Sequence, residues 1–158
     1  MEKTMQELNV EKVKEVLSKL GPETKVYMGC DSYRFKLSGK WYARYTTVLV
    51  IHKNGKNGCT VFGKIDTEID YDKNKKRPSM RLMNEVYRVS QLYLDLGEIL
   101  ENYDVEVHLD IASDPKFGSN CVMSQAIGYV KGVCNLEPKI KPDAWASSFA
   151  ADRFRVYS

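Results

Sequence analysis

The stretch Lys25-Val26-Tyr27-Met28-Gly29-Cys30-Asp31-Ser32 carries the first decision about the fold. Val26, Met28 and Cys30 fall on one side and Tyr27, Gly29 and Asp31 on the other, the period of two that a pleated strand imposes. The segment is expected to be a strand over residues 25–31, with Asp31 at its end. Downstream, residues 42–53 are rich in β-branched side chains. The Asn54-Gly55-Lys56-Asn57-Gly58 run is a turn into a third strand over residues 59–69. Three strands joined by short loops make an antiparallel meander.

The rest of the chain alternates helix and strand. Pro78-Ser79 opens a long amphipathic helix running to about residue 102, and residues 105–111 alternate as a fourth strand. A helix over 120–133, a short fifth strand over 138–141 and a last helix opened by Asp143 follow. Upstream, Met5, Leu8, Val13, Val16, Leu17 and Leu20 recur at helical spacing until Gly21-Pro22, so residues 1–22 read as a helical extension. A meander followed by crossovers implies a mixed five-stranded α/β sheet with helices on both faces, because crossover connections return strands parallel and bury them. Ribonuclease H-like domains share this order.

Composition sets the bounds. The 158 residues suit one domain, and 43% hydrophobic with 28% charged residues exclude intrinsic disorder. No apolar run approaches the roughly 18 residues of a membrane span, and the charged start does not resemble a signal peptide, so a cytoplasmic protein without a membrane partner is expected. Cys30, Cys59, Cys121 and Cys134 lie far apart and His52 and His108 are the only histidines, which leaves no zinc-finger pattern. The cysteines are expected to be reduced, and no organic cofactor is anticipated. A net charge of +3 requires any basic surface to be local.

The acids point to chemistry. Asp31 ends a strand, where an aspartate also serves simply to shape a turn. Glu85 is more informative: on a wheel of about 100° per residue, Leu82, Val89, Leu92, Leu96 and Ile99 all fall within about 60° of it. A carboxylate in that apolar stripe needs a cation, a hydrogen-bond donor or a solvated cleft; otherwise it snorkels to water or pairs with Arg81 or Arg88. In the fourth strand Asp110 shares the polar side with Glu106 and His108, and a central position for that strand would bring it beside Asp31. Asp114 has the same parity but precedes Pro115, where turn-shaping is the plainer role. Asp143 and Asp152 compete as a last acid. Nine helical residues separate them by about 13 Å, so both cannot serve one site. Asp143, at the helix start near the strand ends, is preferred, although an N-cap also explains it.

Val26-Tyr27-Met28-Gly29-Cys30-Asp31-Ser32, His108-Leu109-Asp110-Ile111-Ala112-Ser113-Asp114-Pro115-Lys116, Ile127-Gly128-Tyr129-Val130-Lys131-Gly132 and Lys141-Pro142-Asp143-Ala144-Trp145-Ala146-Ser147-Ser148 together resemble the YkuK-like family of bacterial ribonuclease H-like proteins. The likeness runs over about residues 25–153. It implies metal ligands at Asp31, Glu85, Asp110 and Asp143, with Asp114 and Asp152 in reserve. The Asp-Ala-x-Ala form of the last is closer to the resolvase branch than to the ribonuclease H branch.

Two divalent ions about 4 Å apart activate a water and stabilise the leaving oxygen in phosphodiester hydrolysis. Mg²⁺ and Mn²⁺ favour oxygen donors, which suits carboxylates and not cysteines. The expected function is therefore a metal-dependent nuclease acting on RNA, DNA, hybrid or branched nucleic acid. The rival is a catalytically silent module of the same fold that binds nucleic acid or a protein. Lys73, Lys75, Lys76 and Arg77, just before the Glu85 helix, are candidates for phosphate contacts, and Tyr33 and Trp41 for stacking on bases.

Overall fold

A computed structural model describes residues 5–53, 58–73 and 75–146. Six strands form one mixed sheet: β1 (Gln6–Glu7), β2 (Lys25–Leu37), β3 (Lys40–His52), β4 (Cys59–Ile69), β5 (Asp104–Ala112) and β6 (Lys139–Lys141), in the order β1-β4-β3-β2-β5-β6. The helices are α1 (Val10–Ser18), α2 (Ser79–Leu96) and α3 (Met123–Cys134), with 3₁₀ turns over Gly97–Asn102 and Gly118–Val122. β2, β3 and β4 are the antiparallel meander, and β5 returns parallel beside β2.

Two elements differ most from their sequence reading. The expected helix over residues 5–20 starts only at Val10, where the Asn9 side chain accepts from Lys12 N at 3.1 Å. The residues before it form β1, parallel to Phe62 and Gly63 on the outer edge of β4. Met5 and Leu8 satisfy helical spacing but go to different clusters. Leu8 joins the main core, and Met5 packs with Val48, Val50 and Val61.

The strand expected to end at Asp31 runs on to Leu37. Its antiparallel pairing with β3 continues to Leu37↔Lys40. Ser38 (φ 49°) and Gly39 (φ 80°) close a two-residue hairpin whose backbone twist matches the strands. Tyr33 and Trp41, expected beside a loop, are therefore strand residues opposite Arg44 and Lys36.

The main core gathers Val26, Met28, Leu49, Ile51, Val107, Leu109 and Ile111 of the sheet with Val13 and Leu17 of α1, Val86 and Val89 of α2, and Ala126 and Val130 of α3. These three helices thus share one face. The α-helical part of the long helix stops at Leu96, where Gly97 adopts a positive φ of 65°. Near the C-terminus Ala146 is helical; the rest of the expected last helix, residues 147–158 with Asp152 among them, lies outside the described residues, as do Asn54, Gly55, Lys56 and Asn57. Among the described residues no helix is long and apolar enough to cross a membrane.

Candidate metal centre

The β2–β5 ladder ends at the pair Cys30↔Leu109. Asp31 and Asp110 are the next residue on each strand. Beyond this pair β2 stays with β3 while β5 continues beside β6, with Ala112 opposite Lys141. Neighbouring parallel strands that part company open a notch at their carboxyl ends, where ligands commonly bind in α/β sheets. α2 crosses this notch and lowers Glu85 into it. Leu82, Val86 and Val89 on the same helix line a narrow cavity there with Cys30, Leu109 and Ile111. One carboxylate oxygen from each of Asp31, Glu85 and Asp110 lies within 4.8 Å of the others.

The position of Glu85 is set by a network rooted in the hairpin. Pro78 offers α2 no side-chain cap. Asp72 substitutes, its carboxylate accepting from Met80 N at 2.9 Å and Arg81 N at 2.8 Å. Asp72 N in turn donates to Asp70 Oδ1 at 3.0 Å, and Asp70 pairs with Arg34 Nε at 2.8 Å. Arg34 lies 4.2 Å from the centre of the Trp41 ring. One turn into α2, Arg81 Nη1 donates to Ser32 Oγ at 2.7 Å and to Ser32 O at 3.1 Å. The Ser32 hydroxyl donates to Glu85 Oε2.

Glu85 is only 4% exposed. Burial pushes its carboxyl well above the ordinary value, Asp31 and Asp110 push it further, and the Ser32 hydrogen bond and Arg81 oppose them. Arg81 Nη1 stands 3.9 Å from Glu85 Oε2, and Lys141 Nζ 2.5 Å from Asp110 Oδ1. The three acids are oxygen donors gathered within 4.8 Å of one another, a donor set that fits a hard divalent ion.

Asp143 does not join this group. It is exposed in the turn after β6, its N–H donating to Ile140 O at 2.8 Å, and helical backbone begins three residues later than expected. The reason lies on β5. His108 is fully buried, and its Nδ1 accepts from both Trp145 N and Ala146 N at 3.1 Å. An imidazole from the sheet thus supplies the cap expected of Asp143. Because Nδ1 accepts, the proton sits on Nε2, which faces Glu106 Oε1 at 3.0 Å. His108→Ala would strand these donors and is expected to cost about 3 kcal/mol, read as a lower urea midpoint at unchanged slope.

Asp114 shapes its turn, accepting from Lys116 N at 3.1 Å, and stays outside the acid group. Lys73, Lys75, Lys76 and Arg77 are exposed. The run divides: Lys75 lies 4.7 Å over the Trp41 ring, whereas Lys76 and Arg77 face the loop around Lys116. Ser32 and Lys141 went unrecognised in the sequence. Arg81, four residues before Glu85, was legible as a helical neighbour, but Lys141 reaches Asp110 only through the β5–β6 pairing.

A family model for ribonuclease H-like proteins matches residues 9–155. No curated protein and no solved structure gives a match. The family match and the mixed sheet with helices across its face agree, and the chain belongs to the YkuK-like family of ribonuclease H-like proteins.

Proposed function

We propose that the protein is a divalent-metal-dependent nuclease that hydrolyses phosphodiester bonds in RNA, DNA, hybrid or branched nucleic acid. The observation that carries this reading is the convergence of Asp31, Glu85 and Asp110 within 4.8 Å at the notch between the two central parallel strands. These three acids would hold Mg²⁺ or Mn²⁺, with two ions in the fully loaded site. Bound metal supplies a water of lowered pKa and neutralises charge building on the phosphate. Ser32 and Arg81 fix the Glu85 carboxylate, so it is oriented before metal arrives. Lys141, partly exposed, would have to leave Asp110 free to ligate a bound ion.

Calorimetry with Mn²⁺, run beside cleavage of single-stranded, duplex, hybrid and junction substrates, tests the reading. Metal binding that disappears in Asp110→Asn, together with cleavage of one substrate, is expected. The short Lys141–Asp110 contact favours the rival, a silent module in which an ammonium takes the place of the ion. In that case Mn²⁺ gives no heat and binding of nucleic acid is the same with and without metal.

Replacing Lys75, Lys76 and Arg77 together with alanine should weaken nucleic-acid binding and flatten its salt dependence. The log-log slope falls by up to about 0.9 per lost duplex phosphate contact. An unchanged slope in fluorescence anisotropy would mean these residues only meet solvent.

A further inference from the structure

We propose that the open cleft between residues 76–77 and 115–121 is a phosphate subsite that grips a nucleic-acid strand within about three nucleotides of the acid cluster. Lys76, Arg77 and Lys116 line it, with Asn120 and the Phe117 ring beside them. It has a volume of about 570 Å³, within the range of sites that hold ligands of nucleotide size. Among the described residues no carboxylate lines the cleft, and Asp114 Oδ2 stands 3.6 Å from Lys116 Nζ at its edge. Phe117 is 56% exposed and leaves an apolar face for a sugar or base.

The cleft is built into the end of the sheet that carries the acids. Gly118 approaches so closely that a Cβ would stand 1.8 Å from Lys76 O, so the two loops meet backbone to backbone. Asn120 Nδ2 donates to Ala112 O at 2.9 Å and Ser113 O at 3.3 Å, and Ser119 Oγ accepts from Ala112 N at 2.9 Å. One wall is thereby stitched to β5 two residues past Asp110. The other runs directly into α2, where Glu85 follows Ser79 after six residues, about 9 Å of helix. At an axial rise of about 3.4 Å per nucleotide in a duplex strand, that is fewer than three nucleotides. This placement rests on the nuclease reading of the acids, whereas the grip itself does not.

The test is fluorescence anisotropy in EDTA with short labelled strands in which one methylphosphonate is moved along the backbone. Neutralising one internal phosphate should weaken wild-type binding roughly tenfold, and its neighbours should matter less. In the Arg77→Ala/Lys116→Ala double variant that position dependence should vanish. The salt slope should fall by about 0.7, the value for one phosphate of a single strand, although two cations are gone. Gly118→Ala, which removes no charge but forces the loops apart, should reproduce the loss of position dependence. Lys19→Ala, an exposed cation just past the first helix, should not. A wild type indifferent to methylphosphonate position overturns the subsite. So does position dependence that survives in the double variant, or competition by poly-glutamate or inorganic phosphate as strong as that by an unlabelled strand. A strand bound only through a 5′-terminal phosphate also overturns it. Position dependence in EDTA, with no cleavage of any substrate in a parallel assay with Mn²⁺, removes the nuclease and keeps the subsite.

Discussion

Asp31→Asn should lower metal-dependent cleavage by on the order of 10³-fold or more while the protein stays folded. The substitution keeps the shape of the side chain and removes one of the negative charges that meet within 4.8 Å. Divalent-ion affinity falls with that charge, and so does the stabilisation of charge developing on the phosphate. Folding responds in the opposite sense. Asp31 is among the groups that push the Glu85 carboxyl upward, so neutralising it relieves repulsion in the metal-free protein. The expected outcome is no cleavage, a thermal midpoint in EDTA equal to or above wild type, and unchanged nucleic-acid affinity without metal. Full activity in the variant would remove Asp31 from the chemistry. A collapse of its midpoint in EDTA would assign it a structural role instead.

Glu85→Gln should abolish Mn²⁺ stabilisation and change how the metal-free protein responds to pH. The folded state holds the Glu85 carboxyl above its ordinary value of 4.5, so folded protein binds that proton more tightly than unfolded protein. Stability of the metal-free wild type is therefore fullest below the ordinary value and is lost as pH rises through the folded one. Glutamine carries no such proton and can still meet the Ser32 hydroxyl. In EDTA at pH 8 the variant should be the more stable protein, by on the order of 1–3 kcal/mol. With Mn²⁺ the wild type reverses the trend, gaining stability as pH rises because a ligating carboxylate must lose its proton. The variant gains little. Thermal midpoints across pH 5–8, with EDTA and with Mn²⁺, measure both effects. Parallel pH profiles for the two proteins would mean that Glu85 does not titrate between the folded and unfolded states.

Glu85 was visible because helix geometry is local: once Leu82, Val89 and Leu92 define a stripe, a carboxylate inside it is buried whatever the helix packs against. β5 was visible for the same reason, through the alternation of Val105, Val107, Leu109 and Ile111. The hairpin beyond Asp31 was not. Ser32-Tyr33-Arg34-Phe35-Lys36-Leu37 carries little contrast between its two sides, and its strand character comes from the partner strand. β1 escaped because Met5 and Leu8 fit a helix as well as they fit the two sides of a sheet edge.

The sequence by itself determined the meander, the crossovers and the burial of Glu85, since each follows from spacing along a few turns or a few pleats. Only the tertiary structure decided that Asp31 and Asp110 sit side by side, because that depends on β5 inserting next to β2 and on where their ladder stops. It likewise decided that His108, not Asp143, receives the amides before the last helix, and that Lys141 meets Asp110. It also split the basic run between the Trp41 ring and the Lys116 loop. Each of these contacts joins residues whose separation in sequence carries no periodic signal. Their encounter is fixed by strand order, which follows from how the whole core closes and from no single segment.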